Sequence, residues 1–380
     1  MDYNELALNL HKQHKGKIST QLRDSDLDKT KLSAYYSPGV AAVSTEIANN
    51  PDSYGDYTWT NNLVAVISDG SAVLGLGDIG PKAAMPVMEG KGLLFKHFAG
   101  IDSVPIVLDT HTPSAIIETI ERIAPSFGAI NLEDIAAPKC FEIEAALKER
   151  LNIPVFHDDQ HGTAVVTLAG LINATKVTNR NLADTKIVLI GAGAAGVAIA
   201  DLLYKYAQPS IVAVDSQGAI TSDRAELPPH KKRLATYNNL TQTDGSPASL
   251  SDVLVGADIV IGISKPNLLT PDHIKSMNKN PIVFGLANPT PEIMPDVAKK
   301  AGAAVVATGR SDFPNQVNNA VAFPGIFRGA LDNKVSKITD DHKVAAAEVI
   351  ASLVDEPSVD NVIPSVFDER IVPAIANVIR

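Results

Sequence analysis

The sequence predicts an α/β fold of two domains with parallel-rich sheets. The chain has 380 residues, which suggests two or three domains. Short runs of Val, Ile and Leu alternate with helical patterns along most of it. Continuous apolar runs are typical of parallel strands buried on both faces, and a glycine-rich motif directly follows one of them. Strands that alternate with helices predict βαβ units and parallel sheets.

The predicted strands are short and apolar, and they span residues 63–67, 104–108, 128–132, 154–156, 186–190, 210–214, 258–263, 281–286 and 303–307. Helical patterns between them span residues 113–124, 138–151, 163–175 and 194–206, and the tail from about 338 to 380 is also predicted to be helical. A polar segment at 173–185 precedes a fresh strand and favours a junction between domains. We expect a catalytic domain over residues 1–160 and a nucleotide-binding domain over 161–380, with helix 163–175 bridging them.

The composition is that of a globular protein and argues against a nucleic-acid-binding or membrane-spanning protein. Apolar residues make up 45% and charged residues 20%, which is typical of a globular chain with a sizeable core. A net charge of −10 argues against a nucleic-acid partner. Residues 1–20 hold no long apolar run, so neither a signal peptide nor a membrane span is expected. Cys140, the single cysteine, excludes an intrachain disulfide and fits a reducing, cytoplasmic compartment.

A dinucleotide-binding unit is predicted between Lys186 and Asp215. The predicted strand 186–190 runs into the six-residue loop Gly191, Ala192, Gly193, Ala194, Ala195 and Gly196, and an Ala-rich helical run follows. A second strand, 210–214, is followed by Asp215, 19 positions beyond Gly196 (215 − 196). This context is that of the Rossmann-type fingerprint, so the C-terminal domain is predicted to bind NAD. A glycine turn that serves packing alone is the alternative.

Each residue of the unit has a physical reason to be there. Gly191 permits the tight turn, and Gly193 lets the backbone approach the pyrophosphate at the helix N-terminus. Gly196 allows the helix to pack closely on the strand. Asp215 is expected to accept hydrogen bonds from the ribose hydroxyls and to repel a 2′-phosphate, which favours NAD over NADP. Ser216 and its neighbours leave NADP possible.

Acidic residues follow several predicted strands. They are Asp69, Asp109, the doublet Glu133 and Asp134, and the doublet Asp158 and Asp159. The carboxyl ends of parallel strands meet along one edge of a sheet, where ligands bind. Clustered carboxylates repel one another unless a cation lies among them, and oxygen donors suit Mg²⁺ or Mn²⁺. The alternative for a single acid, and the one favoured for Asp109, is a helix N-cap or loop residue.

Several ordered motifs resemble those of a known family. They are YSPGV (36–40), SDGSAVLGLGD (68–78), PVMEGK (86–91), NLEDI (131–135), VFHDDQHG (155–162), LANP (286–289) and GRSDFPNQVNN (309–319). Together they closely resemble the short, bacterial-type malic enzymes, over nearly the whole chain from about Gly16 to Pro373. The resemblance implies oxidative decarboxylation of (S)-malate to pyruvate and CO₂, with a nicotinamide cofactor and a divalent metal.

The resemblance also implies roles for individual residues. Tyr36 matches the family's general acid and Lys91 its general base, with Asp158 as a supporting partner. Glu133, Asp134 and Asp159 match its metal ligands. Both Asn288 and Asn319 match positions that line the nicotinamide and the substrate. A homodimer or higher homo-oligomer is the family's usual assembly.

Some assignments stay open on the sequence. The larger, animal-type enzymes carry a substrate-contacting arginine where this chain has Ser71 and Ala72, so the group that binds the distal carboxylate of malate is unassigned. Arg310 is one candidate. His157 and His161 are interpreted as structural residues. The alternative functions are an oxaloacetate decarboxylase or a malolactic enzyme on the same site and, in another class, a nucleotide-binding sensor without activity.

Overall fold

A computed structural model describes residues 3–241 and 246–380 of the chain, and its helices and strands alternate as predicted. The first elements are α1 (Tyr3–His14), α2 (Lys29–Tyr35), α3 (Val40–Asn49), α4 (Tyr54–Tyr57), β1 (Leu63–Ser68), α5 (Pro81–Ala99), β2 (Asp102–Val107), α6 (Pro113–Ile123), β3 (Ala129–Leu132), α7 (Lys139–Arg150), β4 (Val155–His157) and α8 (Asp158–Val177).

The remaining elements begin with the glycine-loop strand. They are β5 (Lys186–Ile190), α9 (Ala194–Ala207), β6 (Ser210–Asp215), β7 (Gly218–Ala219), α10 (Pro229–Ala235), α11 (Leu250–Leu254), β8 (Ile259–Gly262), α12 (Pro271–Ser276), β9 (Ile282–Gly285), α13 (Pro295–Lys300), β10 (Val305–Thr308), α14 (Phe323–Asp332), α15 (Asp340–Ser352) and α16 (Ile371–Val378).

The strands form two sheets, which confirms the predicted α/β class. The first sheet has the order β2-β1-β3-β4 and is parallel throughout. The second has the order β10-β9-β8-β5-β6-β7, and its antiparallel pair is β6 with β7. Strand β5 lies between β6 and β8, so the strand order reverses at the glycine loop, where open α/β sheets bind their ligands. The sequence did not predict β7, because a strand of two residues has no readable period.

Helix α8 begins earlier than predicted and is buried along most of its length. It starts at Asp158 rather than at residue 163, which places Asp158 and Asp159 in its first turn. Two carboxylates there are favourable because the N-terminus of a helix carries partial positive charge. Side chains of α8 such as Leu168 share one core with Val64 of the first sheet and Leu189 of the second. The two-domain division near residue 160 stays a prediction, since this core continues across it.

The tail and the N-terminus differ in how they pack. The tail contains the helices α15 and α16, separated by a non-helical stretch at 353–370. Isoleucines 350, 371 and 375 of these helices are buried in the same core as α8. By contrast, α1, α2 and α3 have no buried residue. Among the described residues, no helix is both long enough and apolar enough to cross a bilayer.

Candidate active site

A cleft of about 1040 Å³ opens where the carboxyl ends of both sheets meet. Glu133, Asp134 and Asp159 line it from the first sheet and α8. Gly193, Ala194 and Ala195 line it from the glycine loop, and Asn288 and Asn319 from the segments beyond β9 and β10. Lys91 of α5 lies in the same wall as the acids. Most of the predicted site residues, which are far apart in the sequence, therefore face one space.

The three predicted metal ligands form a compact cluster. Glu133, Asp134 and Asp159 each offer a carboxylate oxygen, and these atoms lie within 4.8 Å of one another. The backbone N–H of Asp134 donates to Asp159 Oδ2 at 2.7 Å. Asp134 has φ of +53°, in the left-handed region that non-glycine residues seldom occupy. Such backbone strain is concentrated at functional sites, and here it turns Asp134 toward its two neighbours.

The electrostatics of the cluster are those of a cation site. Burial, together with repulsion from Asp159, raises the pKa of Glu133 well above its usual range. The same two causes raise the pKa of Asp134 to about 7. Asp134 Oδ2 is buried and has no hydrogen-bond partner among the described residues. Three crowded carboxylates with an unsatisfied oxygen fit Mg²⁺ or Mn²⁺, which bind through oxygen ligands.

Lys91 is buried beside the acidic cluster. Its ammonium forms an ion pair with Asp158 and lies 3.1 Å from Glu133 Oε1. It also donates to Asn319 Oδ1 at 3.2 Å. Burial alone would lower the pKa of Lys91, but the charges of Asp158 and Glu133 raise it above its ordinary value. Burial is therefore not sufficient to make Lys91 a base at neutral pH, because the surrounding negative charge must first be offset.

The first turn of α8 brings these groups together. Asp158 is fully buried behind the cleft and pairs with Lys91, while Asp159 faces the cleft. Gly162, one turn later, lies so close to Asp158 Oδ1 that a side chain there would collide with it. His161 points elsewhere: its Nε2 is 2.8 Å from Glu144, as expected for a structural histidine. Gly162 of the HDDQHG motif therefore leaves the space that the Asp158 side chain occupies.

The glycine loop has the geometry that the motif predicts. Gly191 has φ of +115°, and a Cβ at Gly196 would collide with the carbonyl oxygen of Gly191. Gly193 instead borders open space within the cleft. Helix α9 begins at Ala194, so its N-terminus points at that space. A cradle with free N–H groups and no side chain fits the pyrophosphate of a dinucleotide.

Asp215 has partners that the sequence did not reveal. Both of its oxygens accept from Arg224, at 2.9 Å each, and Lys231 Nζ lies 2.7 Å from Oδ2. These hydrogen bonds lower the pKa of Asp215, against the effect of burial. The carboxylate is therefore neutralised by two cations rather than free, which weakens the predicted repulsion of a 2′-phosphate.

The remaining candidates occupy different places. Asn288 lines the cleft, and its backbone carbonyl packs against Gly75 of the opposite wall. Arg310 is paired with Asp312 and with the carbonyl of Pro289 and does not line the cleft, so it is not positioned to bind a substrate carboxylate. Asp109 is exposed in a loop, as favoured from the sequence.

Tyr36 is not in the cleft of its own chain. Its side chain is 71% exposed, and it does not belong to the cleft lining. The sequence motif predicts that Tyr36 lies beside Lys91. Within one chain, the structure does not place it in the cleft lining. The structure instead adds Lys17 and His11 to the cleft. No pattern in the sequence marked these two residues, because their approach to the cleft depends on how the N-terminal segment crosses α5.

The chain is similar to known proteins over most of its length. Residues 12–115 match the family model "Malic enzyme, N-terminal domain", and residues 160–378 match "Malic enzyme, NAD binding domain". The chain is 52% identical to a bifunctional malic/malolactic enzyme of Bacillus subtilis, over 100% of this chain and 92% of that protein. It is 50% identical to an NADP-dependent malic enzyme of Halomonas elongata, over 93% of this chain and 83% of the relative.

A solved structure shows the same fold. The crystal structure of an NAD-dependent malic enzyme from Thermotoga maritima superposes with a TM-score of 0.93 at 46% identity, and the match covers 98% of each chain.

Proposed function

Because the chain belongs to the malic enzyme family, we propose that it oxidises and decarboxylates (S)-malate to pyruvate and CO₂ with NAD as its preferred acceptor. Oxidative decarboxylation of malate is the reaction of this family, whose members use either NAD or NADP and a divalent metal. The observation that supports the assignment to this site is the cluster of Lys91 with Glu133, Asp134 and Asp159 opposite the glycine loop.

The residues present can hold both cofactors. Glu133, Asp134 and Asp159 would bind Mg²⁺ or Mn²⁺, and Gly191, Gly193 and Gly196 would bind the dinucleotide. When bound, the cation would offset the carboxylate charge and polarise the C2 oxygen of malate, and the dinucleotide would supply the hydride acceptor for C2. Asn288 and Asn319, which face the same space, would orient the substrate and the nicotinamide.

The proton transfers are assigned to the chain's own residues. Lys91, as a neutral amine, takes the proton of the C2 hydroxyl and becomes an ammonium, and Asp158 holds its Nζ in position. Loss of CO₂ from oxaloacetate leaves the enolate of pyruvate. Tyr36 then donates its phenolic proton to C3, and Lys91 helps to restore that proton.

Cofactor preference depends on Asp215 and the two cations that bind it. A carboxylate at Asp215 suits the ribose hydroxyls of NAD. Arg224 and Lys231, which bind Asp215, are groups that could accept a 2′-phosphate if the carboxylate were removed. The relatives are named both NAD- and NADP-dependent. We therefore propose NAD as the preferred cofactor and NADP as a usable one.

We also propose that the chain works as a homodimer or larger homo-oligomer, because α1, α2 and α3 have no buried residue. Isolated helices of this length are marginal in water and need a surface to pack on. The single cysteine, Cys140, is a buried free thiol, which supports a reducing cytoplasmic location.

A second candidate activity is suggested by the Bacillus subtilis relative, which is named a malic/malolactic enzyme. In that case malate would give lactate and CO₂ without net reduction of NAD. One assay separates the candidates: NADH absorbance, pyruvate and lactate are followed with malate, with either NAD or NADP, and with Mn²⁺ present or chelated. Pyruvate in step with NADH supports the main proposal. Lactate without NADH, or oxaloacetate decarboxylation far faster than malate oxidation, contradicts it.

A further inference from the structure

We propose that a polar cavity beside the first turn of α8 binds a small carboxylate and is coupled to the metal cluster in the cleft. The cavity has a volume of about 280 Å³ and lies among α7, α8, α9, α10 and α15. A water occupies roughly 30 Å³ in the liquid, so a molecule of several heavy atoms fits. Among the described residues, none lines both this cavity and the catalytic cleft, so the cavity is a separate site.

Two acids of the cavity lining already have their oxygens engaged by donors. Lys148 Nζ lies 2.8 Å from Glu144 Oε1. His161 Nε2 lies 2.8 Å from the other oxygen of the same glutamate. Both oxygens of Asp201 accept from Arg233 in a bidentate pair. Because each carboxylate charge is already balanced by a neighbouring cation, these acids give the cavity no selectivity for a cationic ligand.

Donor groups of the same lining lack acceptors, since each lysine ammonium carries three N–H donors. Lys148 uses one of them in its ion pair with the neighbouring glutamate of α7. Lys343 uses two, on Asp340 Oδ1 at 2.8 Å and on His161 Nδ1 at 3.0 Å. In the described part of the chain, the amide nitrogen of Gln160 is buried and has no hydrogen-bond partner. The lining therefore offers more donors than acceptors, which suits an anion with several acceptor oxygens.

Lys343 gives the cavity a buried positive charge. Its side chain is 6% exposed, whereas that of its partner Asp340 is 67% exposed and lies largely in solvent. Burial and the charge of Lys148 lower the pKa of Lys343. A carboxylate near the two ammonium groups would offset both effects, because it supplies opposite charge inside the cavity. Apolar side chains such as Val197 and Leu202 complete the lining, so a ligand with a short carbon chain fits.

Two helices join the cavity to the catalytic cleft. In the first turn of α8, Asp159 lines the cleft and Gln160 lines the cavity. In the first turn of α9, Ala195 lines the cleft and Val197 lines the cavity. An anion that binds Gln160 and Lys343 therefore acts on the turns that position a metal ligand and the glycine loop. This coupling rests on the proposed function of the cleft, whereas binding in the cavity does not.

Calorimetric titration of the full-length, metal-free protein tests the binding site. Acetate, succinate, glutarate and inorganic phosphate are titrated at constant ionic strength. We expect one carboxylate site per chain, with a Kd at least about 10-fold higher in Lys343→Met and in Lys148→Met. These variants assign the binding to the cavity rather than to the cleft. Lys205→Met is the matched control, since Lys205 is exposed, pairs with Asp341 and lies outside the cavity lining.

The rise in melting temperature on adding Mn²⁺ tests the coupling, because it is measured without substrate or turnover. With the carboxylate bound, the apparent Mn²⁺ affinity should change at least about 5-fold in the wild type and should stay constant in Lys343→Met. Absence of saturable binding, equal binding of phosphate, or binding retained in both lysine variants overturns the proposed site. Binding without any effect on the Mn²⁺ affinity overturns the coupling. Failure of Mn²⁺ to stabilise the wild type instead refutes the metal site of the proposed function.

Discussion

Lys91 and Asp158 form a buried ion pair that joins the middle of α5 to the first turn of α8. The pair lies directly behind the cluster of Glu133, Asp134 and Asp159. Because a paired carboxylate fixes both the position and the charge of the lysine, Asp158 determines where the proposed base stands relative to the metal ligands.

Replacement of Lys91 by alanine should abolish turnover without abolishing nucleotide binding. General acid–base groups contribute about 10²- to 10⁴-fold, so kcat in Lys91→Ala should fall within that range. NAD affinity, measured by fluorescence titration, should be nearly unchanged because the glycine loop is untouched. The matched control is Lys96→Ala on the same helix, whose ammonium is exposed and bonds to Asp102. Near-wild-type turnover in Lys91→Ala would remove this residue from its proposed role.

Loss of one carboxylate from the acidic cluster should weaken metal binding. Asp134→Asn keeps the shape of the side chain but removes one negative charge, and we expect an affinity for Mn²⁺ at least about 10-fold lower. The measurement is the rise in melting temperature on adding Mn²⁺ in the absence of substrate, since a ligand at 100 times its Kd stabilises by about 2.7 kcal/mol. Asp109→Asn, at an exposed loop acid, is the control and should respond like wild type.

Removal of the carboxylate of Asp215 should shift cofactor use toward NADP. Asp215→Ser leaves Arg224 and Lys231 free to bind a 2′-phosphate, and the ratio of kcat/KM for NADP to that for NAD should rise at least about 10-fold. In the double variant Asp215→Ser/Arg224→Ala most of this gain should disappear, because the bidentate donor is gone. An unchanged ratio in Asp215→Ser would contradict the assignment of the ribose site.

The thiol of Cys140 should be inert in the folded protein. Burial, reinforced by the charge of Glu144, raises the pKa of Cys140 to about 12. At pH 8 its thiolate population should be lower than in the unfolded chain by about 10³-fold, since an exposed cysteine titrates near pH 8.5. A thiol-reactive dye should therefore label one thiol per chain in denaturant and react far more slowly without it. Fast labelling of the native protein would show that α7 opens easily.

Much of the fold could be predicted because it depends on local pattern. Strand β5 has the bounds predicted from the sequence, since a buried run of five apolar-rich residues meets a glycine turn. The glycine loop could be recognised because Gly191 and Gly196 are required by backbone geometry within a few residues of the motif. The acids that follow the strands could be placed on one edge because parallel strands share a direction.

The tertiary structure decided what these residues touch. Lys91 and Asp158 are 67 positions apart, and no periodicity encodes their pairing or its effect on pKa. The neutralisation of Asp215 by Arg224 depends on a turn beyond β7 that the sequence pattern did not show. The motif identified Tyr36 but could not show that its side chain is exposed outside the cleft lining. The sequence by itself determined which chemical groups the protein has and which strands bear them. Their charges and burial depend on long-range proximity, which only the folded chain supplies.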